Sequence, residues 1–373
     1  MASVSLRHVS KTYKSGVAAL RDCNLEVADG EFLVVAGPAG CGKSALLRIV
    51  AGLDIPDEGD IYIGNARVNL LQPKERDIAM VLQNNALYPD LTVSENLAFS
   101  LRMHKMPEEE IERRVREVAD VLEIADCLDR KPGALSPVQQ QHVALARAMV
   151  RGQKVLLLDE PLANLDPKLR MRMRAGLKAL HKRLGLTILY STRDQEEAME
   201  MGGRIVVLKD GFVQQVGVPR DLYNAPVNQF VAEFLGAPQM NFLNVKVGAQ
   251  GEYYSFTFGK SAVRLPKERD KGGSLKGYVG KNITLGVRPE DVHDTPEDLE
   301  KMPDGVVTAE VEALEPAGEA AYLSLTCAGH SVTARVEPDA VRQSGEQIQI
   351  AFDMRQIYLF DGETERMIFH EMT

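Results

Sequence analysis

The stretch "GPAGCGKS" at residues 37–44 constrains this chain more than any other. It follows the apolar "EFLVVAG" (31–37) and precedes "ALLRIVAGL" (45–53), so a buried strand must turn directly into a helix. Gly37, Gly40 and Gly42 let backbone N–H groups turn inward at the helix start, where phosphate oxygens are favoured. The spacing is that of a phosphate-binding loop in the strand–loop–helix context the motif requires. Its candidate contacts are Gly37, Pro38, Ala39, Gly40, Cys41, Gly42, Lys43, Ser44 and Ala45. Lys43 supplies a point charge for the β and γ phosphates, and the Ser44 hydroxyl is a candidate Mg²⁺ ligand.

"VLLLDEP" (155–161) completes the pattern. Four apolar residues make a buried strand, and Asp159 and Glu160 follow at its carboxyl end, where open α/β sheets bind ligands. Asp159 is placed to hold Mg²⁺ through water, and Glu160 to polarise an attacking water as general base. An acidic pair after a strand is often only a loop. Joined to the phosphate loop, it reads as a site for a Mg²⁺-bound nucleoside triphosphate.

Alternating apolar runs and helical patterns over residues 1–235 predict an α/β domain with a mainly parallel sheet. "PEEEIERRVREVADVLEIADCL" (107–128) reads as a helix with the stripe Ile111, Val115, Val118 and Leu122. "PKLRMRMRAGLKALHKRLG" (167–185) reads as another, with Leu169, Met173, Leu177, Leu180 and Leu184 on one face and a solvated basic outer face. After the junction "FLGAPQMN" the texture changes, and residues 236–373 read as short alternating strands of a small β-barrel or sandwich, with a hint of internal repetition.

A net charge of −9 argues against a nucleic-acid binder. The four cysteines are dispersed, without C-x-x-C pairing, as expected of reduced thiols in a cytosolic protein. No apolar run approaches the ~20 residues a membrane span needs, and "MASVSLRHVS" lacks the apolar stretch of a secretory signal. Any membrane role is expected to come through partners.

"MVLQNNALYPDLTVSENLAF" (80–99), "LSPVQQQHVALARA" (135–148), "LLLDEPLANLD" (156–166) and "STRDQEEAM" (191–199) follow in order. Together they resemble the ATP-binding-cassette ATPases, specifically the carbohydrate-importer subunits, over essentially the whole chain. "LGVRPEDV" (285–292) is similar to the marker of that group's C-terminal domain. The resemblance implies a P-loop NTPase core of RecA-like type with a helical subdomain at about 86–150, then an all-β domain of oligomer-binding-fold (TOBE) type. It implies ATP and Mg²⁺, and a dimer with a second copy or a paralogue in which each nucleotide lies between one subunit's phosphate loop and the other's signature turn. It also implies two integral-membrane permease subunits, a sugar-binding protein acting indirectly outside the cytoplasm, and a peripheral place on the cytoplasmic face of the membrane. Tyr13 matches the aromatic that stacks on adenine, although a lone tyrosine near a strand end also serves packing. Gln83 matches the glutamine that reaches Mg²⁺ and the attacking water. Asp166 matches the aspartate linking the two sites, and it equally suits capping of the helix beginning at Pro167.

Two positions depart from the family pattern. The signature turn L-S-G-G-Q has become Leu135-Ser136-Pro137-Val138-Gln139, and the basic positions after it are Gln140 and His142. Ser136 and Gln139 form a capping box with proline at the first helical position, so the helix is expected to form. The contact to a neighbour's γ-phosphate is expected to suffer, because Pro137 lacks an N–H and Val138 adds a branched Cβ. Loss of one oriented donor costs about 10²–10³ in rate in oxyanion sites. Arg193 stands where the family places a γ-phosphate-contacting histidine. It is suited either to stabilising phosphate charge or to pairing with Asp194, Glu196 or Glu197. A lesser change is Ala45, where the family often has threonine. The expectation is Mg-ATP binding with weakened hydrolysis; a near-inactive nucleotide-binding partner subunit is the alternative.

Overall fold

Phe32–Ala36, Val155–Asp159 and Thr187–Thr192 are buried at every position, as strands covered on both faces of a parallel sheet must be. In the computed structural model they form the centre of a six-stranded sheet. Its order is Phe212–Gly217, Arg204–Lys209, Phe32–Ala36, Thr187–Thr192, Val155–Asp159, Ile78–Val81. All pairings are parallel except that of the edge strand Phe212–Gly217. The structure describes residues 2–81, 87–163, 165–318 and 320–370.

Register decides what meets at the sheet's carboxyl edge. Ala36 lies opposite Thr192, and Asp159 opposite Ser191. The residues that follow these strands, Gly37, Glu160 and Arg193, therefore emerge side by side. The helix Lys43–Ala51 leaves the same edge, and its Leu46, Leu47, Ile49 and Val50 are fully buried. They share one core with Leu33, Leu157 and Leu189 of the parallel sheet and with Val4, Leu6 and Leu25 of a second, antiparallel sheet. That second sheet runs Ala18–Val27, Val4–Thr12, Glu58–Ile63, Ala66–Arg67. Burial of these side chains, at about 1.5–3 kcal/mol for each large aliphatic residue, anchors the phosphate-loop helix from both sides.

Val93–Met103, Glu108–Val121 and Pro137–Met149 make the helical part. The second of these is shorter than the 107–128 read from its stripe. It stops at Val121 because Glu123 takes a left-handed conformation, φ 55°, and the Ile124 N–H bonds back to the Ala119 carbonyl at 2.9 Å. Pro167–Leu184 follows expectation, with Met173, Leu177 and Leu180 buried and Gly185 closing it at φ 63°.

The chain divides into two units, Met1–Pro219 and Arg220–Thr373. The second unit carries two antiparallel sheets of six and five strands around one apolar core that includes Phe256, Leu285, Leu323 and Phe352. Residues 220–235, ahead of the change of texture at 236, group with this unit and are held by its side chains. Arg288, 2% exposed, donates to the carbonyls of Leu235 at 3.0 Å and Tyr223 at 2.5 Å and lies 3.4 Å over the Tyr223 ring. Among the described residues no helix is long and apolar enough to cross a membrane.

Candidate functional site

The phosphate loop has the conformation its glycines foretell. Gly37, Gly40 and Gly42 have φ of 154°, 77° and 112°. A Cβ on Gly42 would meet the Ala19 carbonyl at 2.2 Å, so only glycine fits there. Pro38, Ala39, Gly40 and Ser44 are exposed, while Cys41, Gly42, Lys43 and Ala45 are buried, so the loop presents one open edge. Lys43 Nζ donates to the carbonyls of Gly37 and Pro38, each at 2.8 Å, which folds its charge back over the loop.

Asp159 lies against the loop. Its Oδ1 accepts from Ser44 Oγ at 3.0 Å and from Ser191 Oγ at 2.7 Å. Ser191 Oγ also accepts the Glu160 N–H at 2.9 Å, which locks the end of the strand. The adjacent oxygens of Ser44 and Asp159 are a hard-oxygen donor set suited to Mg²⁺, which binds proteins through one or two such groups and keeps several waters. Ser191 opens the stretch 191–199, where no local pattern gives it a role of its own; strand register puts it beside Asp159.

Glu160 adopts φ 45°, strained for a side chain of its size. Its carboxylate sits between two cations. Arg193 Nε donates to both Oε1 and Oε2 at 2.7 Å, Arg193 Nη2 lies 2.5 Å from Oε2, and Lys43 Nζ is 3.6 Å from Oε1. Burial raises the carboxyl pKa, but hydrogen bonds from Arg193 and the charges of Lys43 and Arg193 outweigh it and hold Glu160 below the usual range. The hydrogen bond and charge of Glu160 in turn raise that of Arg193. Arg193 thus pairs with Glu160, the general-base candidate, rather than with the nearby Asp194, Glu196 or Glu197. Register explains this, because residues 160 and 193 leave adjacent strands at the same edge.

Tyr13, half buried, donates its hydroxyl to Asp54 Oδ2 at 2.8 Å, and Arg48 pairs with the same carboxylate at 2.8 Å. The ring is therefore fixed at its hydroxyl end. Ser136 caps Pro137–Met149 as expected: its Oγ accepts from the Gln139 N–H at 3.2 Å and its own N–H donates to Gln139 Oε1 at 3.0 Å. Ser136 and Pro137 are exposed, so the turn is presented outward. Gln139 Nε2 also lies 3.0 Å from Cys127 Sγ. Burial, the largest influence, holds the pKa of His142 below its ordinary value. Asp166 caps Pro167–Leu184 through the Leu169 N–H at 3.0 Å. Gln83 lies outside the described residues.

The basic face expected of Pro167–Leu184 is not simply solvated. Arg174, 9% exposed, pairs with Glu200 at 3.2 Å and Glu196 at 3.7 Å, and Arg170 pairs with Asp194 at 2.9 Å. Asp194, which caps Gln195–Met201, and the acids within that helix draw these arginines in, a contact the helical period alone does not reveal.

Comparison with known proteins places the chain in one family. Residues 20–163 match the ABC transporter family, 236–292 the MalK OB fold domain and 303–359 the TOBE domain. The chain is 46% identical to the oligosaccharides import ATP-binding protein MsmX of Bacillus subtilis, over 98% of this chain and 99% of that protein. It is 45% identical to the trehalose/maltose import ATP-binding protein MalK of Thermococcus litoralis, over 99% and 100%. Among solved structures, a dimeric post-hydrolysis state of the ATP-binding cassette MJ0796 bound to ADP and Pi aligns with TM-score 0.52 and 38% identity, over 58% of this chain and 99% of that one. With the phosphate loop, the acidic pair and near-complete coverage by such relatives in place, the chain belongs to the ATP-binding subunits of the ABC transporter family.

Proposed function

We propose that this chain binds Mg-ATP as one half of a cassette dimer and energises a carbohydrate importer, with weakened hydrolysis. The full-length similarity to subunits that import oligosaccharides, trehalose and maltose supports the substrate class. The dimeric cassette supports the assembly, whose second half is another copy or a paralogue. Two membrane permease subunits, a sugar-binding protein and a peripheral place on the cytoplasmic face follow from the same reading.

Within the site, Lys43 and the loop N–H groups hold the β and γ phosphates, and Tyr13 stacks on adenine. Ser44 and Gln83, with Asp159 through water, would hold Mg²⁺, which would neutralise phosphate charge when bound. Asp166, Ser136 and Gln139 face the partner's nucleotide. Glu160 orients water and takes its proton. The observation that carries weakened hydrolysis is the Arg193–Glu160 pair. A carboxylate held by three guanidinium contacts on its two oxygens is a poorer base and has fewer free lone pairs for water. Pro137 and Val138 add a loss in trans, since one offers no N–H and the other is bulky.

The same pair favours the second reading, a nucleotide-binding partner with negligible turnover. Steady-state hydrolysis by the purified protein, alone and with its membrane subunits, separates the two. Turnover above a Glu160→Gln control supports the ATPase; turnover equal to it leaves the partner role. Absence of saturable Mg-ATP binding would refute both.

A further inference from the structure

We propose that Arg170 is a positioning residue that ties the turn after Glu160 to the loop carrying Arg193, and so holds the Arg193–Glu160 pair in register. This rests on the reading of Glu160 and Arg193 as the hydrolytic pair. Arg170 lies in the first turn of Pro167–Leu184 and reaches in three directions. Nη2 donates to the Leu165 carbonyl at 3.2 Å, inside the turn that follows Glu160. Nη1 donates to Asp194 Oδ2 at 2.9 Å, one residue beyond Arg193. Nε lies 3.6 Å from Glu197 Oε1.

Those acids are themselves fixed to the Arg193 loop. Asp194 Oδ1 accepts the Glu197 N–H at 3.0 Å, and the Asp194 N–H donates to Thr192 Oγ1 at 3.0 Å. Glu197, 3% exposed, accepts from Thr192 Oγ1 at 2.7 Å and from Tyr190 OH at 2.8 Å with its other oxygen, Oε2. Arg193 is thus flanked on both sides by residues locked into one network, and Arg170 joins that network to the turn leaving Glu160. Glu160, Ala163, Arg170, Arg193, Asp194 and Glu197 line an open pocket of about 280 Å³, so beyond the Glu160 N–H bond to Ser191 at the strand edge the two loops meet across accessible space. Strand pairing sets the two chain ends side by side, and Arg170 adds a side-chain link from the Leu165 carbonyl to Asp194, next to the half-exposed Arg193. The two hydrogen bonds leave from separate guanidinium nitrogens, with Nε only at ion-pair distance from Glu197, and a lysine ammonium lacks that planar spread.

The test is a double-mutant cycle in the full-length protein. Fluorescent ATP and ADP analogues give the affinity ratio for wild type, Arg193→Ala, Arg170→Met and the combination; kcat and KM are measured alongside. Arg193→Ala leaves the Glu160 carboxylate less compensated beside a γ-phosphate, so with Arg170 present it lowers ATP affinity relative to ADP at least about 3-fold. In the Arg170→Met background the change falls below about 1.5-fold, and a change below about 1.5-fold with Arg170 present also overturns the proposal. Where turnover is measurable, Arg170→Met also moves kcat more than KM. Arg170→Lys, which keeps the charge and guards against a folding failure, restores only part of the coupling. An Arg193→Ala effect of equal size in both backgrounds, or full restoration by lysine, overturns the proposal. The affinity cycle needs no turnover, so a protein that binds nucleotide but hydrolyses no more than its Glu160→Gln variant refutes the hydrolytic reading and leaves this tie to be judged on binding.

Discussion

Arg193→His is the substitution that most directly probes the hydrolytic reading. In wild type, Glu160 is 10% exposed at its side chain and receives a two-pronged guanidinium that is itself 50% exposed. Hydrogen bonds to charged groups contribute about 1.5–3 kcal/mol, and half exposure of one partner reduces that to about 1–2 kcal/mol. That energy opposes turning Glu160 toward water. A neutral imidazole removes most of it while keeping a ring nitrogen near the carboxylate. At 1.36 kcal/mol per tenfold, kcat is expected to rise roughly 5- to 30-fold. The assay is steady-state phosphate release at saturating Mg-ATP and neutral pH, with Glu160→Gln combined with each form as the blank. A kcat for Arg193→His equal to or below wild type would refute the argument, and would assign Arg193 to phosphate charge instead.

Pro137→Gly with Val138→Gly is expected to raise turnover independently, because it restores the N–H at 137 and removes the branched Cβ at 138 in trans; unchanged phosphate release refutes that cause. Ser136→Ala removes the cap of Pro137–Met149 and should lower stability by about 1 kcal/mol, measured by chemical denaturation. Arg288→Met leaves the Leu235 and Tyr223 carbonyls without their buried donor and should cost about 2–4 kcal/mol in the same experiment, without changing nucleotide affinity. Asp291 gives a pH signature. Burial, then the charges of Glu290 and Asp353, raise its carboxyl pKa from 3.8 to about 7. A raised native pKa means its contribution is fully present below about 4 and is lost as pH rises toward 7. Asp291→Asn should therefore be more stable relative to wild type at pH 8 than at pH 4; a pH-independent difference contradicts this.

Much of the site was legible because its chemistry is local. The loop from Gly37 to Ser44 is contiguous, and its glycines are demanded by left-handed backbone and by the approach of Ala19. The capping box at Ser136 is likewise a matter of four consecutive residues. The helix read as 107–128 overran because an apolar stripe records which face is buried, not where a left-handed residue such as Glu123 ends it.

The sequence by itself determined the strand–loop–helix of the phosphate-loop motif, the acids that follow a buried strand, and the β-rich second half, because each is written in neighbouring residues. Only the tertiary structure decided the partner of Arg193, the place of Ser191 and the reach of Arg170. Glu160 and Arg193 are 33 residues apart, and Arg170 and Asp194 are 24. Their distances are set by which strands lie side by side and in what register, and no local pattern carries that information.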